Sequence, residues 1–332
     1  MLVKDMMPTF ELFRPERIED ALALTAKYGK DGWKLGGGYD SLSWFKERLK
    51  RPKAVIDLSA IAALHGIKES ADGIEIGALT TLTDIEENAI VKAKFRVLSD
   101  AAGQVASPQI RQAGTLGGNI SQDARCAYYR YGLPCYRAGG NACYADTPEG
   151  QNREHALFDA DRCVAVTPSD TALALVALDA SVVIRSAKGE RVVPAQEFFI
   201  GPKVDITRMT VTTPEEIVTA IRIPNTWAGA SFYFEKVTDR ESWDFALVNV
   251  AASVVVKDGV IERSRIACGG VSCTPRRLEA VESIIKGKPV GVEIAELAGK
   301  SASRGAKTLN YNHFKIPLME KLVTRAVRDA VA

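Results

Sequence analysis

Residues 110–119 read IRQAGTLGGN and contain a glycine-rich turn. Thr115 offers a hydroxyl group, Asn119 offers an amide, and the two glycines allow backbone nitrogens to face a phosphate group. The alternative structure for this stretch is a bulged hairpin. The first glycine turn along the chain, LGGGYDSL at residues 35–42, follows a predicted strand, and its consecutive N–H groups can form an anion-binding nest. Either turn alone could be structural, but together they indicate two sides of one pyrophosphate-binding site.

Four cysteines follow residues 110–119, the second glycine turn, in an irregular, polar segment. They are Cys126, Cys135, Cys143 and Cys163. Their spacing is too wide for paired C-x-x-C zinc units, whereas a [4Fe–4S] cluster takes four cysteine ligands. A loop this long and this rich in glycine and proline rarely folds unless something holds it together. The pattern therefore predicts a metal centre or cluster, with disulfide bonds or free thiols as the alternative.

Composition limits the class of protein. The 332 residues suffice for two or three domains, and 46% hydrophobic with 25% charged residues is ordinary for a globular protein. A net charge of +2 gives no electrostatic reason to expect nucleic-acid or membrane binding. Residues 1–15 lack the apolar core of a signal peptide, and the apolar run 172–184 is too short to span a bilayer. We expect a cytoplasmic protein, or a periplasmic one only by co-export with a partner subunit.

Hydrophobic spacing and turn residues predict a mixed structure of helices and strands. The predicted helices are 15–29, 84–104, 171–178 with Ser169 or Asp170 as N-cap, 275–286 and 318–331. The predicted strands are 33–35, 54–58, 73–78, 181–185, 191–198, 216–223, 230–237, 246–257 and 260–268. Asp258-Gly259 is expected to form the hairpin turn between the last two strands.

In their order along the chain, the motifs resemble those of the FAD-binding subunit of the molybdenum hydroxylase family. This family includes xanthine dehydrogenase, carbon monoxide dehydrogenase and aldehyde oxidoreductases. Residues 35–42 are similar to its A-G-G-T-D-L-L loop, although Gly38 and Tyr39 depart from the usual order, and residues 110–119 are similar to I-R-N-x-A-T-I-G-G-N. Residues 236–246 resemble the K-x-x-x-R-x-x-x-D-x-A signature that opens the C-terminal domain. The later G-(G/A)-V and T-P-x-R elements resemble residues 269–271 and 274–277.

The resemblance implies an α+β fold. It implies a PCMH-type FAD-binding domain of two subdomains, residues 1–60 and 61–226, followed by a carbon monoxide dehydrogenase flavoprotein-like domain, residues 227–332. FAD is expected between the two subdomains, with the cations Lys236 and Arg240 near the flavin. The residues implied in FAD binding are Leu35, Gly36, Gly37, Gly38, Tyr39, Asp40, Ser41, Leu42, Ala113, Thr115, Gly118, Asn119, Gln122, Arg125, Val164 and Lys236.

The cysteines resemble those of a subset of the family, found in some bacterial aldehyde oxidoreductases and, with different spacing, in 4-hydroxybenzoyl-CoA reductase. In this subset the flavin subunit carries an additional [4Fe–4S] cluster. The resemblance implies an iron–sulfur loop at residues 120–165, whose ligands are Cys126, Cys135, Cys143 and Cys163. His155 is expected to make a structural hydrogen bond, with a donor role towards the cluster as the alternative. Cys268 and Cys273 match no cluster motif and are expected to be packed thiols.

By the same resemblance, the chain is the electron-transfer subunit of a heterotrimeric molybdenum hydroxylase of the aldehyde oxidase or dehydrogenase type. Electrons are expected to pass from a molybdopterin-binding large subunit and a [2Fe–2S] small subunit through FAD to a terminal acceptor. None of its residues is expected to catalyse substrate hydroxylation, and the substrate is expected to be an aldehyde or an N-heteroaromatic compound. The alternatives are a flavin subunit of the 4-hydroxybenzoyl-CoA reductase or xanthine dehydrogenase type, a stand-alone flavin oxidase or reductase, and a non-catalytic zinc-stapled assembly subunit.

Overall fold

A computed structural model describes residues 7–330 and contains three β-sheets. The first six residues of the segment examined for a signal peptide lie outside the described residues, as does the predicted helix end at Val331. Within residues 7–330, no helix combines the length and the apolar character that crossing a membrane requires.

The first sheet is parallel and ends at the first glycine turn. Its strands are β1 (Glu11–Phe13), β2 (Gly32–Leu35) and β3 (Ala54–Asp57), in the order β1-β3-β2. Helix α1 (Ile18–Tyr28) connects β1 to β2, and it ends at Gly29, whose φ of +49° is available to glycine. The turn that follows β2 leads into α2 (Ser41–Lys46). The first turn therefore lies at the carboxyl edge of a parallel sheet.

The second sheet is antiparallel and joins distant parts of the sequence. Its strands are β4 (Ile67–Ser70), β5 (Gly73–Gly77), β6 (Ser181–Ser186), β7 (Gly189–Pro194) and β8 (Ile217–Pro224), in the order β4-β5-β8-β6-β7. Strands β5 and β6 belong to the same sheet, where β8 lies between them. The long stretch of chain that connects β5 to β6 therefore starts and ends at this sheet. That segment carries the second glycine turn and all four clustered cysteines.

Short helices occupy the first part of this segment. They are α3 (Leu82–Glu87), α4 (Ala89–Lys94), α5 (Arg96–Gly103), α6 (Pro108–Arg111) and α7 (Leu116–Ser121). The predicted helix 84–104 is divided in three because Asn88 caps α4 and Phe95 leaves helical geometry. Between residues 122 and 169 the only regular elements are α8 (Ala127–Arg130) and a 3₁₀ turn at Tyr136–Ala138. The cysteine segment is thus irregular, as predicted.

A buried helix joins the second sheet to the third. Helix α9 (Asp170–Ala177) is buried at every residue and packs on α5 and on the third sheet. The Ser169 hydroxyl caps it by accepting a hydrogen bond from the Ala172 N–H group, which confirms one of the two predicted caps. The strand predicted at 191–198 was wrong in its second half, because α10 (Ala195–Phe198) follows β7.

The third sheet is antiparallel and carries the C-terminal helices. Its strands are β9 (Ser231–Val237), β10 (Val248–Lys257), β11 (Val260–Gly269) and β12 (Arg276–Arg277), and its helices are α11 (Glu279–Ile285), α12 (Val292–Ala302) and α13 (Lys315–Arg328). Asp258 and Gly259 both have positive φ, which confirms the predicted hairpin turn. The helix predicted from residue 275 was wrong in its start, because residues 276–277 pair with β11 first.

Candidate cofactor-binding site

Both glycine turns line one large cavity. Its volume is about 1220 Å³, and its walls include residues 36–38 of one turn and residues 114, 115, 117 and 118 of the other. Pockets for small ligands usually measure about 300–1,000 Å³. The cavity therefore has room for a ligand of dinucleotide size, and the structure brings the two predicted turns to one site.

The two turns approach each other so closely that only glycine fits. A Cβ atom on Gly37 would lie 2.0 Å from the Ala113 carbonyl oxygen. On Gly36 it would lie 3.0 Å from the Thr115 hydroxyl oxygen. The first turn is thus packed against the second through bare backbone, which is the situation in which glycine is required.

The N–H groups of the two turns differ in availability. Those of Leu116, Gly117 and Gly118 already donate to the Thr80 and Ala78 carbonyl oxygens and to the Thr115 hydroxyl group. In contrast, the N–H groups of residues 36–39 have no acceptor among residues 7–330. Free amides on a cavity wall bind anions. The bulged-hairpin alternative for the second turn is wrong, because residues 116–121 form α7 with Thr115 as N-cap.

Most of the residues predicted to bind FAD lie on the cavity wall. They are Gly36, Gly37, Gly38, Tyr39, Asp40, Ser41, Thr115, Gly118, Asn119, Gln122 and Arg125. Leu35 and Leu42 lie just behind the wall, where both side chains come within 4 Å of the position of a Gly38 Cβ atom. Ala113 contacts Gly37 through its carbonyl oxygen. Val164 lines a separate cavity, which the four clustered cysteines surround.

Lys236 lies outside the wall and supports it from behind. Its ammonium group donates to the Asp170 carboxylate at 2.7 Å and to the Gln104 and Asp244 carbonyl oxygens at 2.9 Å. Asn249 donates to the other Asp170 oxygen at 2.8 Å. Burial raises the pKa of Asp170, and the neighbouring ammonium group opposes the rise. Lys236 thereby holds Asp170 and Asp244, and both line the cavity.

Several wall residues were not predicted from the sequence. They include Lys34, Lys50, Asp170, Arg208, Trp243 and Phe245. Arg240, which was expected near the flavin, also lines the cavity. Lys34 donates to the Pro214 carbonyl oxygen at 2.8 Å, and burial lowers its pKa to about 8. Trp243 is a non-glycine residue with a φ of +56°, and its N–H group donates to the Ala106 carbonyl oxygen at 2.7 Å. The resemblance of residues 236–246 to a known signature was the available signal for Trp243 and Phe245.

The four clustered cysteines surround a second, smaller cavity. Cys126, Cys135, Cys143 and Cys163 are each half-buried and line it together with Tyr129 and Arg137. Its volume is about 20 Å³, close to the smallest space that holds a water molecule, about 10–15 Å³. Among residues 7–330, no three His, Cys, Asp or Glu side chains converge on one metal-ion position. The four sulfurs share one cavity, but they are not arranged around a single metal ion. Because the cavity is small, a four-iron cluster would require its walls to move outwards.

Burial raises the pKa of two of the clustered cysteines. It raises the pKa of Cys126 to about 11, and hydrogen bonds from the Tyr128 and Tyr129 backbones partly offset the rise. The pKa of Cys163 is raised for the same reason. Cys268 and Cys273 are buried, as predicted for packed thiols, and burial raises the pKa of each to about 12.

A polar network connects the two cavities. Arg130 and Arg125 both pair with Asp40 of the first glycine turn, at 2.7 and 3.3 Å. Lys50, on the wall of the large cavity, donates at 3.0 Å to the Tyr129 hydroxyl group, which lines the small one. Arg125 lines the large cavity and Cys126, the next residue along the chain, lines the small one, so consecutive residues connect the two sites.

Comparison with known proteins identifies the family. Residues 8–226 match the FAD binding domain in molybdopterin dehydrogenase. The chain belongs to the FAD-binding medium subunits of the molybdenum hydroxylase family. Residues 233–330 match the CO dehydrogenase flavoprotein C-terminal domain. These matches confirm the predicted α+β fold and domain type, and they confirm FAD as a cofactor.

The relatives are oxidoreductase subunits. The chain is 32% identical to the aldehyde oxidoreductase FAD-binding subunit of Escherichia coli, over 90% of this chain and 91% of that one. It is 29% identical to the carbon monoxide dehydrogenase medium chain of Hydrogenophaga pseudoflava, over 98% of each chain. A solved structure of carbon monoxide dehydrogenase from that organism superposes with a TM-score of 0.79 and 27% identity, over 98% of each chain. Such relatives are medium chains of complexes with several subunits.

Proposed function

We propose that this flavin subunit works in a heterotrimer of the aldehyde oxidase or dehydrogenase type, with a molybdopterin-binding large subunit and a [2Fe–2S] small subunit. The 32% identity to an aldehyde oxidoreductase subunit supports the aldehyde class. The observation that carries the electron-transfer role is the large cavity, whose wall combines free backbone amides with cationic and aromatic side chains. Such a wall suits a flavin dinucleotide, since the amides pair with phosphate and the ring system packs on apolar groups.

The chain's own residues have separable tasks in this proposal. The free N–H groups at residues 36–39 hold the FAD diphosphate, and Thr115 and Asn119 of the adjoining turn line the same cavity. Arg125, Arg240 and Phe245 surround another part of the cavity, where cations stabilise negative charge on a reduced cofactor. When bound, FAD supplies a carrier that accepts and releases electrons between the partner subunits and a terminal acceptor.

We also propose that Cys126, Cys135, Cys143 and Cys163 hold a [4Fe–4S] cluster. The support is chemical, because four thiols from an irregular segment line one cavity and four thiolates are the ligand set of such a cluster. The small cavity volume implies that loading moves residues of the 120–165 loop outwards. Few elements of regular structure oppose such a movement in this loop.

Analysis of the native complex tests both proposals. The complex would be purified through a tag on this chain, its partner subunits identified, and its flavin, molybdenum, iron and sulfide measured. We expect one FAD per chain and about four irons beyond those of the [2Fe–2S] subunit. A colourless, zinc-containing chain would favour the assembly role instead. Turnover by the chain alone, without co-purifying subunits, would favour a stand-alone flavin enzyme.

A further inference from the structure

A buried histidine contacts one of the clustered sulfurs. His155 Nε2 lies 3.2 Å from Cys126 Sγ, and the histidine is only 6% exposed. Cys126 lines the small cavity, whereas His155 does not. The imidazole ring therefore reaches the sulfur from behind the cavity wall, in the position of a hydrogen-bond partner of a ligand and not of a further ligand.

The backbone of this histidine is held by the C-terminal domain. The His155 carbonyl oxygen accepts hydrogen bonds from Lys315 Nζ and from Asn312 Nδ2, both at 3.1 Å. Both donors are fully buried. The His155 N–H group donates to the Asn152 carbonyl oxygen at 3.1 Å. These three bonds position the residue independently of what the ring contacts.

The ring itself has a single partner. Its Nδ1 atom is buried and has no hydrogen-bond partner among residues 7–330, so the contact with Cys126 is its one polar interaction in this part of the chain. A cysteine that ligates iron is a thiolate and can only accept a hydrogen bond. The ring must then carry a proton on Nε2 and donate this N–H group to the sulfur.

We infer that His155 is a positioning residue whose Nε2–H group sets the reduction potential of the iron–sulfur centre through Cys126. The inference rests on the proposed cluster. Reduction adds negative charge to the cluster and its sulfurs, and a donor to a ligand sulfur stabilises that charge. The hydrogen bond therefore favours the reduced form and raises the potential. Without it, we expect a more negative potential with the cluster still in place.

The test compares two variants in the purified complex. His155→Leu removes the donor, while His155→Gln keeps an N–H donor on a side chain that can reach towards the sulfur. The measurements are iron and sulfide content and the midpoint potential of the [4Fe–4S] signal in a redox titration followed by electron paramagnetic resonance. His65→Leu is the matched control, because His65 is exposed and its ring contacts the Ser59 carbonyl oxygen, away from the clustered cysteines.

Each outcome either supports or overturns the role inferred for His155. A potential that falls in His155→Leu, recovers towards wild type in His155→Gln and is unchanged in His65→Leu supports the inference. An unchanged potential in His155→Leu with full iron content overturns it while leaving the cluster intact. Loss of iron from both His155 variants also overturns it, since a structural role explains that result. A wild-type chain without the cluster overturns the proposed iron–sulfur function itself, and this role with it.

Discussion

Gly37 and Ala113 pack backbone against backbone, so that a Cβ atom on Gly37 would lie 2.0 Å from the Ala113 carbonyl oxygen. Real Cβ atoms do not approach oxygen so closely, and any larger residue must push the two turns apart. This contact links the turn after β2 of the first sheet to the segment before α7. The spacing of the two turns therefore depends on the absence of a side chain at Gly37.

Gly37→Ala should reduce FAD binding. The two turns would have to separate, and the free amides at residues 36–39 would lose their position relative to Thr115. We expect the affinity for FAD to fall at least about tenfold, which corresponds to about 1.4 kcal/mol of binding free energy, so that the complex loses flavin on dilution. Flavin absorbance per mole of chain measures the effect. In Gly291→Ala the new Cβ meets no atom within 4 Å, so this control should keep its flavin.

Lys236→Met should strongly destabilise the chain. The side chains of Lys236 and Asp170 are only 4% and 5% exposed, and removing the cation leaves a buried carboxylate without its ion pair. Breaking such a pair costs about 3–5 kcal/mol of unfolding free energy. Urea denaturation measures this, and the double variant Lys236→Met/Asp170→Asn should recover part of the loss.

A matched control for that prediction is Lys53→Met. Lys53 also pairs with an aspartate, Asp31, at 2.7 Å, but its side chain is 74% exposed. Because water screens such a pair, we expect little change in unfolding free energy. Equal effects of the two lysine variants would contradict the role assigned to the buried pair.

Cys135→Ser should remove the iron–sulfur absorbance and loosen residues 120–165. Ordering an irregular loop costs about 1–2 kcal/mol per residue, so a loop that loses its cluster should become more accessible to protease. Iron content and limited proteolysis measure the two effects. Cys268→Ala is the control, because Cys268 is buried in the third-sheet core away from the small cavity. Retention of the full iron content in Cys135→Ser would count against Cys135 as a ligand.

Lys315 should make stability rise with pH. Burial lowers its pKa to about 7, whereas an unfolded lysine keeps its proton up to about pH 10.4. Above pH 7 the unfolded state therefore binds more protons than the native state, and unfolding free energy increases by at most about 1.4 kcal/mol per pH unit. Below pH 7 this contribution no longer changes with pH.

Urea denaturation of the full-length chain between pH 6 and 8.5 tests this, because Lys315→Met should lack that component of the rise. The methionine also leaves the His155 and Gly270 carbonyl oxygens without their donor, which lowers stability at every pH. Lys286→Met removes an exposed lysine and should keep the wild-type pH slope. Parallel pH profiles for wild type and Lys315→Met would contradict the lowered pKa.

Local patterns predicted most of the secondary structure. The β10–β11 hairpin was recognisable because Asp258-Gly259 is a strong turn signal, and the cap of α9 was recognisable because Ser169 precedes an apolar run. Errors arose where pairing with distant residues overrode local preference. Residues 276–277 join the third sheet because β11 is adjacent to them, which no local pattern in the sequence indicates.

The sequence by itself determined the family, the two glycine turns and the set of four cysteines, because motifs of this kind depend on residue types at fixed short spacing. Only the tertiary structure decided which groups are available to a ligand. In the folded chain, the N–H groups of Leu116–Gly118 already donate hydrogen bonds, whereas those of residues 36–39 are free. Lys236 lies behind the cavity wall, where it pairs with Asp170. The tertiary structure also brings His155 to Cys126. Apart from Gly118 and Thr115, these partners are far apart in sequence, and hydrogen-bond geometry between such groups is set by how the sheets and domains pack.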